Sequence, residues 1–233
     1  SLSSVISAYR KVLQLDKNDV TAYEKLAMLY GGIGNYEELR YIAQMRLDNA
    51  PKDFNAPLWL ADALMNTNKY EEAQNTLNKF TNDLEALPEK HPEYVKACLM
   101  LGNIEMNFNV SPESPQKALG WVNKAIEYSP QSVDALVNRA KFYIETPNIP
   151  GYGTSERLAA ARKDLETADK IGTEKPQSLF LLCSQWLTLG EYDKASNEIK
   201  LVDALSEETI SKYFFNIQDL KVVRCLLASE IAV

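Results

Sequence analysis

The stretch Asn35-Tyr36-Glu37-Glu38-Leu39 has counterparts in Lys69-Tyr70-Glu71-Glu72-Ala73 and in Glu191-Tyr192-Asp193-Lys194-Ala195. Leu39 and Ala73 are 34 residues apart, and Val5 lies another 34 upstream of Leu39. Each of these points opens an apolar stretch with helical spacing that ends near a breaker: Leu15-Asp16-Lys17-Asn18, Asn49-Ala50-Pro51-Lys52 and Tyr128-Ser129-Pro130-Gln131. Before each lies another helical stretch with a small residue in its middle: Ala27, Ala61, Gly102, Ala140 and Cys183, spaced by 34, 41, 38 and 43. Two helices per unit, recurring at 34 residues or slightly more, describe an all-α solenoid. Small residues let the paired helices approach, and large ones fill the wedge between neighbours.

Composition agrees. The 233 residues are 45% hydrophobic and 24% charged, ordinary values for a folded chain. Nine glycines and ten prolines make it poor in turns, which favours long helices over many short strands. A net charge of −7 advertises no basic surface for nucleic acid or anionic lipid. No run reaches the roughly 18 apolar residues of a membrane span, and no basic start precedes an apolar block as in a signal peptide. The longest uncharged run, Pro176 to Gly190, reads as a buried helix. Cys98, Cys183 and Cys225 are odd in number, far apart and embedded in apolar runs. They read as three buried thiols in a reducing compartment, hence a cytoplasmic location, and not as a disulfide framework.

The pattern resembles the tetratricopeptide repeat (TPR) family, whose 34-residue unit is helix A, turn and helix B. Tyr23, Leu26, Ala27, Tyr30, Gly34, Tyr36 and Pro51 match a first full unit. Leu60, Ala61, Tyr70, Ala73, Leu77 and Phe80 match a second, and Leu101, Gly102, Ala118, Val122, Ala125 and Pro130 a third. Ala140, Tyr143, Ala161, Leu165 and Ala168 match a fourth, and Leu182, Cys183, Trp186, Gly190, Tyr192, Ala195, Ile199 and Val202 a fifth. The resemblance implies a right-handed α-α superhelix of about five helix pairs, forming one domain over residues 1–233. Its units would be 1–18 (partial), 20–52, 54–86, 95–131, 133–173 and 176–204, followed by a C-terminal helix over 206–231. The aromatic residues Tyr30, Tyr36, Tyr70, Tyr143, Trp186 and Tyr192 are expected in the core.

Some features depart from the pattern. Arg46 stands where the first unit should have its second small residue, which predicts a loosely packed or shifted helix B. Insertions fall at Thr81 to Pro92, Phe108 to Gln116 and Pro147 to Arg157. Ser3 to Leu15 reads as a lone helix B with Val5, Tyr9 and Val12 on its inner face and Leu15 closing it. Ser206 is the expected N-cap of a last helix carrying Ile210, Tyr213, Phe214, Ile217, Leu220, Val223 and Leu227. The end of that helix, Val222 to Leu227, is apolar on more than one side. Either the chain is an excerpt of a longer protein, the preferred reading, or another chain covers its ends.

Chemistry is sparsely signalled. The single histidine, His91, has no Cys or second His at ligand spacing and reads as a solvated loop residue, so no metal site or catalytic triad is expected. Gly151-Tyr152-Gly153-Thr154-Ser155 lacks the lysine of a phosphate loop and reads as a turn capped by Thr154 or Ser155. Asn109-Val110-Ser111 is a formal glycosylation triplet without a supporting context. The expectation is a chain without catalysis or cofactor.

In TPR arrays helix A lines the concave wall, where a partner segment can lie. That resemblance places Thr21, Glu24, Lys25 and Met28 inward in the first unit. Asn55, Leu58, Trp59, Asp62 and Asn66 follow in the second, and Lys96, Leu99, Met100, Asn103 and Asn107 in the third. The fourth gives Asp134, Val137, Asn138 and Lys141, and the fifth Gln177, Phe180, Leu181 and Ser184. Trp59, Met100 and Phe180 would be exposed apolar anchors. Asn103 and Asn138 resemble the asparagine pair with which some TPR domains clamp a terminal carboxylate. The flanking cationic places hold Leu99, Gln177 and Leu181, which disfavours a carboxylate-tail ligand. A protein or peptide ligand in the groove is the leading expectation. Self-association through the apolar ends, or service as an accessory domain of a larger enzyme or sensor, are the alternatives.

Overall fold

The computed structural model describes residues 1–109, 111–213 and 217–231. Among them every regular element is an α-helix. The chain divides into two compact units, Ser1–Val110 and Ser111–Val233. The boundary falls inside the third expected repeat, so its two helices belong to different units.

The first unit contains α1 (Leu2–Leu15), α2 (Val20–Gly32), α3 (Tyr36–Asn49), α4 (Ala56–Asn66), α5 (Tyr70–Glu85) and α6 (Pro92–Asn107). Consecutive helices pack on one another, and α4 also packs on α6. The second contains α7 (Ser114–Tyr128), α8 (Val133–Glu145), α9 (Thr154–Ile171), α10 (Pro176–Thr188), α11 (Tyr192–Asp203), α12 (Glu207–Tyr213) and α13 (Ile217–Ile231). Here α7 packs on α8, α8 on α9 and α10 on α11; α8 also packs on α10, and α13 lies against α10 and α11.

The repeated stretch builds the same turn each time. Gly34, Asn68 and Gly190 hold φ of 70°, 62° and 75°, the left-handed region that favours glycine and admits asparagine. The next amide then bonds back across the turn: Asn35 N–H to Tyr30 O at 2.8 Å, Lys69 to Leu64 at 2.8 Å and Glu191 to Trp186 at 2.9 Å. Helix A thereby ends abruptly, and helix B begins after three intervening residues. Small residues line the helix pairs: Ala61, Ala73, Ala140, Ala161 and Ala195 are completely buried.

Helix starts follow local chemistry. Asp19 and Ser132 accept hydrogen bonds from the Ala22 and Ala135 amides, and proline occupies the first turn of α4, α6, α7 and α10. Ser206 accepts from the Thr209 amide as expected of an N-cap. At α9 the cap is Gly153, not Thr154 or Ser155. Its amide is satisfied by the Glu156 carboxylate at 2.7 Å, which frees the chain to start the helix at Thr154.

Several sequence expectations are corrected. Helix α3 runs regularly through Arg46, because that side chain has found partners on other elements. Its Nε donates to Asp53 at 2.7 Å and its guanidinium lies 5.3 Å from the Tyr23 ring centroid. In α1 the inner face is Ile6, Tyr9, Val12 and buried Leu13, while Val5 is exposed and Leu15 is 83% exposed. Tyr192 is 54% exposed, because it starts helix B on its outer side above the Gly190 turn. Cys98 and Cys183 are buried, but Cys225 is exposed on α13. Of the expected last helix, residues 207–213 and 217–231 are helical. Phe214 lies outside the described residues, as do the side chains of Tyr213, Ile217 and Leu220 and the middle residue of the Asn109-Val110-Ser111 triplet.

The Arg46–Asp53 pair is only 10% exposed at each side chain. Asp53 also accepts from the Asn55 and Ala56 amides at 2.8 Å each, capping the approach to α4. Asp53→Ala leaves a buried guanidinium unpaired and is expected to cost about 3–5 kcal/mol. Arg46→Met is expected to cost less, since Asp53 keeps its two backbone donors. Urea unfolding of the two variants, followed by helical circular dichroism, measures the difference.

Candidate functional site

In the first unit the A-helix positions come together around Trp59. A cavity of about 380 Å³ is bounded by Glu24, Ala27, Met28 and Gly31 of α2, by Leu39 of α3, and by Asn55, Trp59 and Asp62 at α4. Trp59 is half-buried and rests on the core formed by Leu26, Tyr30, Ala63 and their neighbours, which fixes its indole as one wall. Gly31 faces Leu39 across the floor.

The electrostatics of this cavity are one-sided. Asp62 is half-buried, and loss of water pushes its carboxyl above the usual range; the Asn66 amide, donating at 3.0 Å, offsets part of that. Glu24 is exposed and has no ion pair among the described residues. No cationic side chain lines the cavity. Two carboxylates beside an indole face form an arrangement suited to an ammonium or guanidinium group.

The other expected site residues divide between the units. In the first, Leu58 is buried and Met100 half-buried, with Lys96, Asn103 and Asn107 exposed. Asn107 donates its amide to the Asn103 side-chain oxygen at 2.9 Å, so this pair is pre-linked along α6. In the second, Asn138 is half-buried and donates to the Asp134 carbonyl at 2.8 Å. Lys141 reaches Glu145 at 3.8 Å. Asp134 is neutralised by Lys175 at 2.8 Å and accepts from the Ser178 hydroxyl at 2.5 Å. Phe180 is buried and so is no exposed anchor.

Some groups carry no sequence signal. Arg139 clasps Asp164 through Nε and Nη2 at 2.7 Å each and reaches Asn123 at 2.9 Å, joining three helices of the second unit. Arg157 is buried and donates to the Tyr143 and Ile144 carbonyls at the end of α8. His91, expected free in solvent, has its ring 4.3 Å from that of Phe54. Cross-helix pairs of this kind join residues far apart in sequence, which periodicity does not encode. Among the described residues no three His, Cys, Asp or Glu side chains converge as a metal site, and no helix is long and apolar enough to cross a membrane.

The comparisons with known proteins agree with the geometry. Residues 58–82, the Trp59 helix, its turn and most of α5, match a family model described as tetratricopeptide repeat. A search of curated proteins finds no match. Among solved structures, a tetratricopeptide repeat protein from Parabacteroides merdae is 17% identical, with 97% of this chain aligned to 78% of that one at a TM-score of 0.62. Yeast Tom70 is also 17% identical, with 97% of this chain covering 42% of it at 0.63. A thermophilic TPR protein of Thermus thermophilus is 16% identical, with 90% of this chain covering 97% of it at 0.61. One tetratricopeptide repeat is matched in the sequence, and the solved structures share the helical-repeat fold of this chain.

Glu198 of α11 is buried, and burial together with the neighbouring Asp169 carboxyl pushes it from 4.5 up to about 8. The folded chain therefore holds a proton that the unfolded chain releases above the ordinary value. Stability from this group is fully present below pH 4.5 and is lost as pH rises towards 8. Glu198→Gln stays neutral throughout. Its melting temperature should equal that of the parent near pH 4.5 and exceed it by a few degrees at about pH 9, read by thermal scans across that range.

Proposed function

We propose that the chain is a non-catalytic interaction scaffold that binds a protein segment on its A-helix face, seating a lysine or arginine side chain against Trp59 between Glu24 and Asp62. The single observation carrying this reading is the cation-free cavity in which a desolvated Asp62 lies beside an indole and a second carboxylate. A basic side chain entering there would restore to Asp62 the favourable interaction that burial removed and would gain cation–π attraction from Trp59. Met28 and Met100 offer adaptable apolar surface on the chain's A helices, and Asn103 and Asn107 offer amides for a partner's backbone. By repeat position Leu58 and Lys96 belong to the A-helix face of the first unit, and Asn138, Lys141 and Phe180 to that of the second; Leu58 and Phe180 act as support, not as contacts.

A second reading, self-association, is favoured by the exposed apolar residues Val222, Val223 and Leu226 on α13. Light scattering over a concentration series tests it: a constant monomer mass removes it.

Selection of peptides from a random display library against the 233-residue chain is expected to return sequences with a basic residue next to an apolar one. Binding of a selected peptide, followed by fluorescence polarisation, should weaken about tenfold in Trp59→Ala and in the double variant Glu24→Gln/Asp62→Asn. Helical circular dichroism should not change. Peptides that bind all of these variants as tightly as the parent place the site elsewhere.

A further inference from the structure

A second cavity in the first unit, of about 520 Å³, lies away from the Trp59 cavity. Its deep wall is Pro57 and Leu60 of α4 with Phe80 and Leu84 of α5, and Leu47 closes one side. Phe54 and Leu87 stand beside the opening, 36% and 41% exposed. Leu84 and Leu87 belong to the Thr81–Pro92 insertion, which lengthens α5 beyond the basic repeat to Glu85. The insertion thus supplies one wall of a pocket that a 34-residue unit would leave open.

The polar groups bordering this cavity differ in availability. The Thr76 hydroxyl is spent on the Glu72 carbonyl at 2.8 Å, and Asp53 is committed to Arg46 and two backbone amides. Lys52 and Lys79 are both exposed, and neither has an ion pair among the described residues. Asp83 is likewise unpaired. An apolar interior with two available ammonium groups and one carboxylate at its edge favours an apolar body bearing an anionic end. The volume lies within the range of about 300–1,000 Å³ typical of small-molecule sites.

We propose that this cavity binds an aliphatic carboxylate, with the hydrocarbon between Leu60, Phe80 and Leu84 and the carboxylate at Lys52 and Lys79. Burial of the chain supplies the affinity. The two lysines set the charge preference, and Asp83 opposes it.

Dodecanoate, dodecanol and dodecyltrimethylammonium, each kept below its aggregation concentration, are titrated calorimetrically into the intact chain. Dodecanoate is expected to bind most tightly and the ammonium most weakly. Lys52→Glu/Lys79→Glu should weaken dodecanoate about tenfold while leaving dodecanol unchanged. Asp83→Asn should tighten dodecanoate, and Thr76→Trp, which fills the cavity from a partly exposed position, should abolish binding of all three. Failure of dodecanoate to bind the parent chain, equal affinity for the three probes, or binding that survives Thr76→Trp overturns the assignment. A selected peptide should bind Thr76→Trp as it binds the parent, which keeps this result separate from that of the Trp59 site.

Discussion

The helix pairs depend on one constraint: helices A and B must approach closely, and in α2–α3, α4–α5 and α10–α11 the chain must reverse within three residues. The left-handed residue at 34, 68 and 190 performs that reversal, and the completely buried Ala61, Ala73, Ala140, Ala161 and Ala195 accept the close approach. A turn without small residues would hold the helices apart and open voids, which cost packing energy in proportion to their size. Where the connection is longer, as over residues 146–153 between α8 and α9, buried alanines and the Arg139–Asp164 pair join the helices instead. Asn68 shows that the requirement is for conformation and not for glycine itself, because asparagine tolerates the same region.

That constraint is local and periodic, and this is why so much of the fold could be read from the sequence. The buried residues Leu39, Ala73, Ala118, Ala161 and Ala195 lie at the expected register in five successive B helices. What escaped reading was pairing over long separations. Arg46 looked like a disruption because its partners, Asp53 and the Tyr23 ring, sit on other elements. Periodicity alone also gave α1 the wrong inner edge: Leu13, not Leu15, joins the core of Tyr23 and Leu26, since nothing packs beyond the last turn. Tyr192 shares the sequence context of Tyr36 and Tyr70 yet stays exposed. An aromatic that begins helix B is buried only as far as its neighbours reach over it, as Phe108 does when it stacks 3.4 Å from Tyr70.

The candidate site was legible in part for the same reason. Glu24, Met28, Asn55, Trp59 and Asp62 were placed inward by repeat position, and they line a common cavity in the first unit. Sequence position could not say which apolar members of that face are available. Leu58 and Phe180 occupy groove-facing positions by number but are buried, whereas Trp59 packs on the core and still lines the cavity. The charge of the cavity was also hidden. Lys25 is placed inward beside Glu24 by repeat position, but it does not line the cavity.

Helix α4 relates the two cavities of the first unit. At about 100° per residue, Trp59 and Asp62 project from one side of the helix, and Pro57 and Leu60 from the side nearly opposite. The first pair lines the acidic cavity and the second the apolar one, so the two cavities lie on opposite sides of α4. The segment entering α4 is shared in the same way: Phe54 borders the apolar cavity and Asn55 the acidic one, while Asp53 before them is tied to Arg46. A buried ion pair is weak evidence of stability in itself, because desolvation offsets much of the attraction. Here it does something an apolar pair could not. The same carboxylate that satisfies Arg46 also accepts the Asn55 and Ala56 amides, which sets the angle at which the chain enters α4. The arginine that breaks the repeat pattern therefore belongs to the contact that orients both walls of α4.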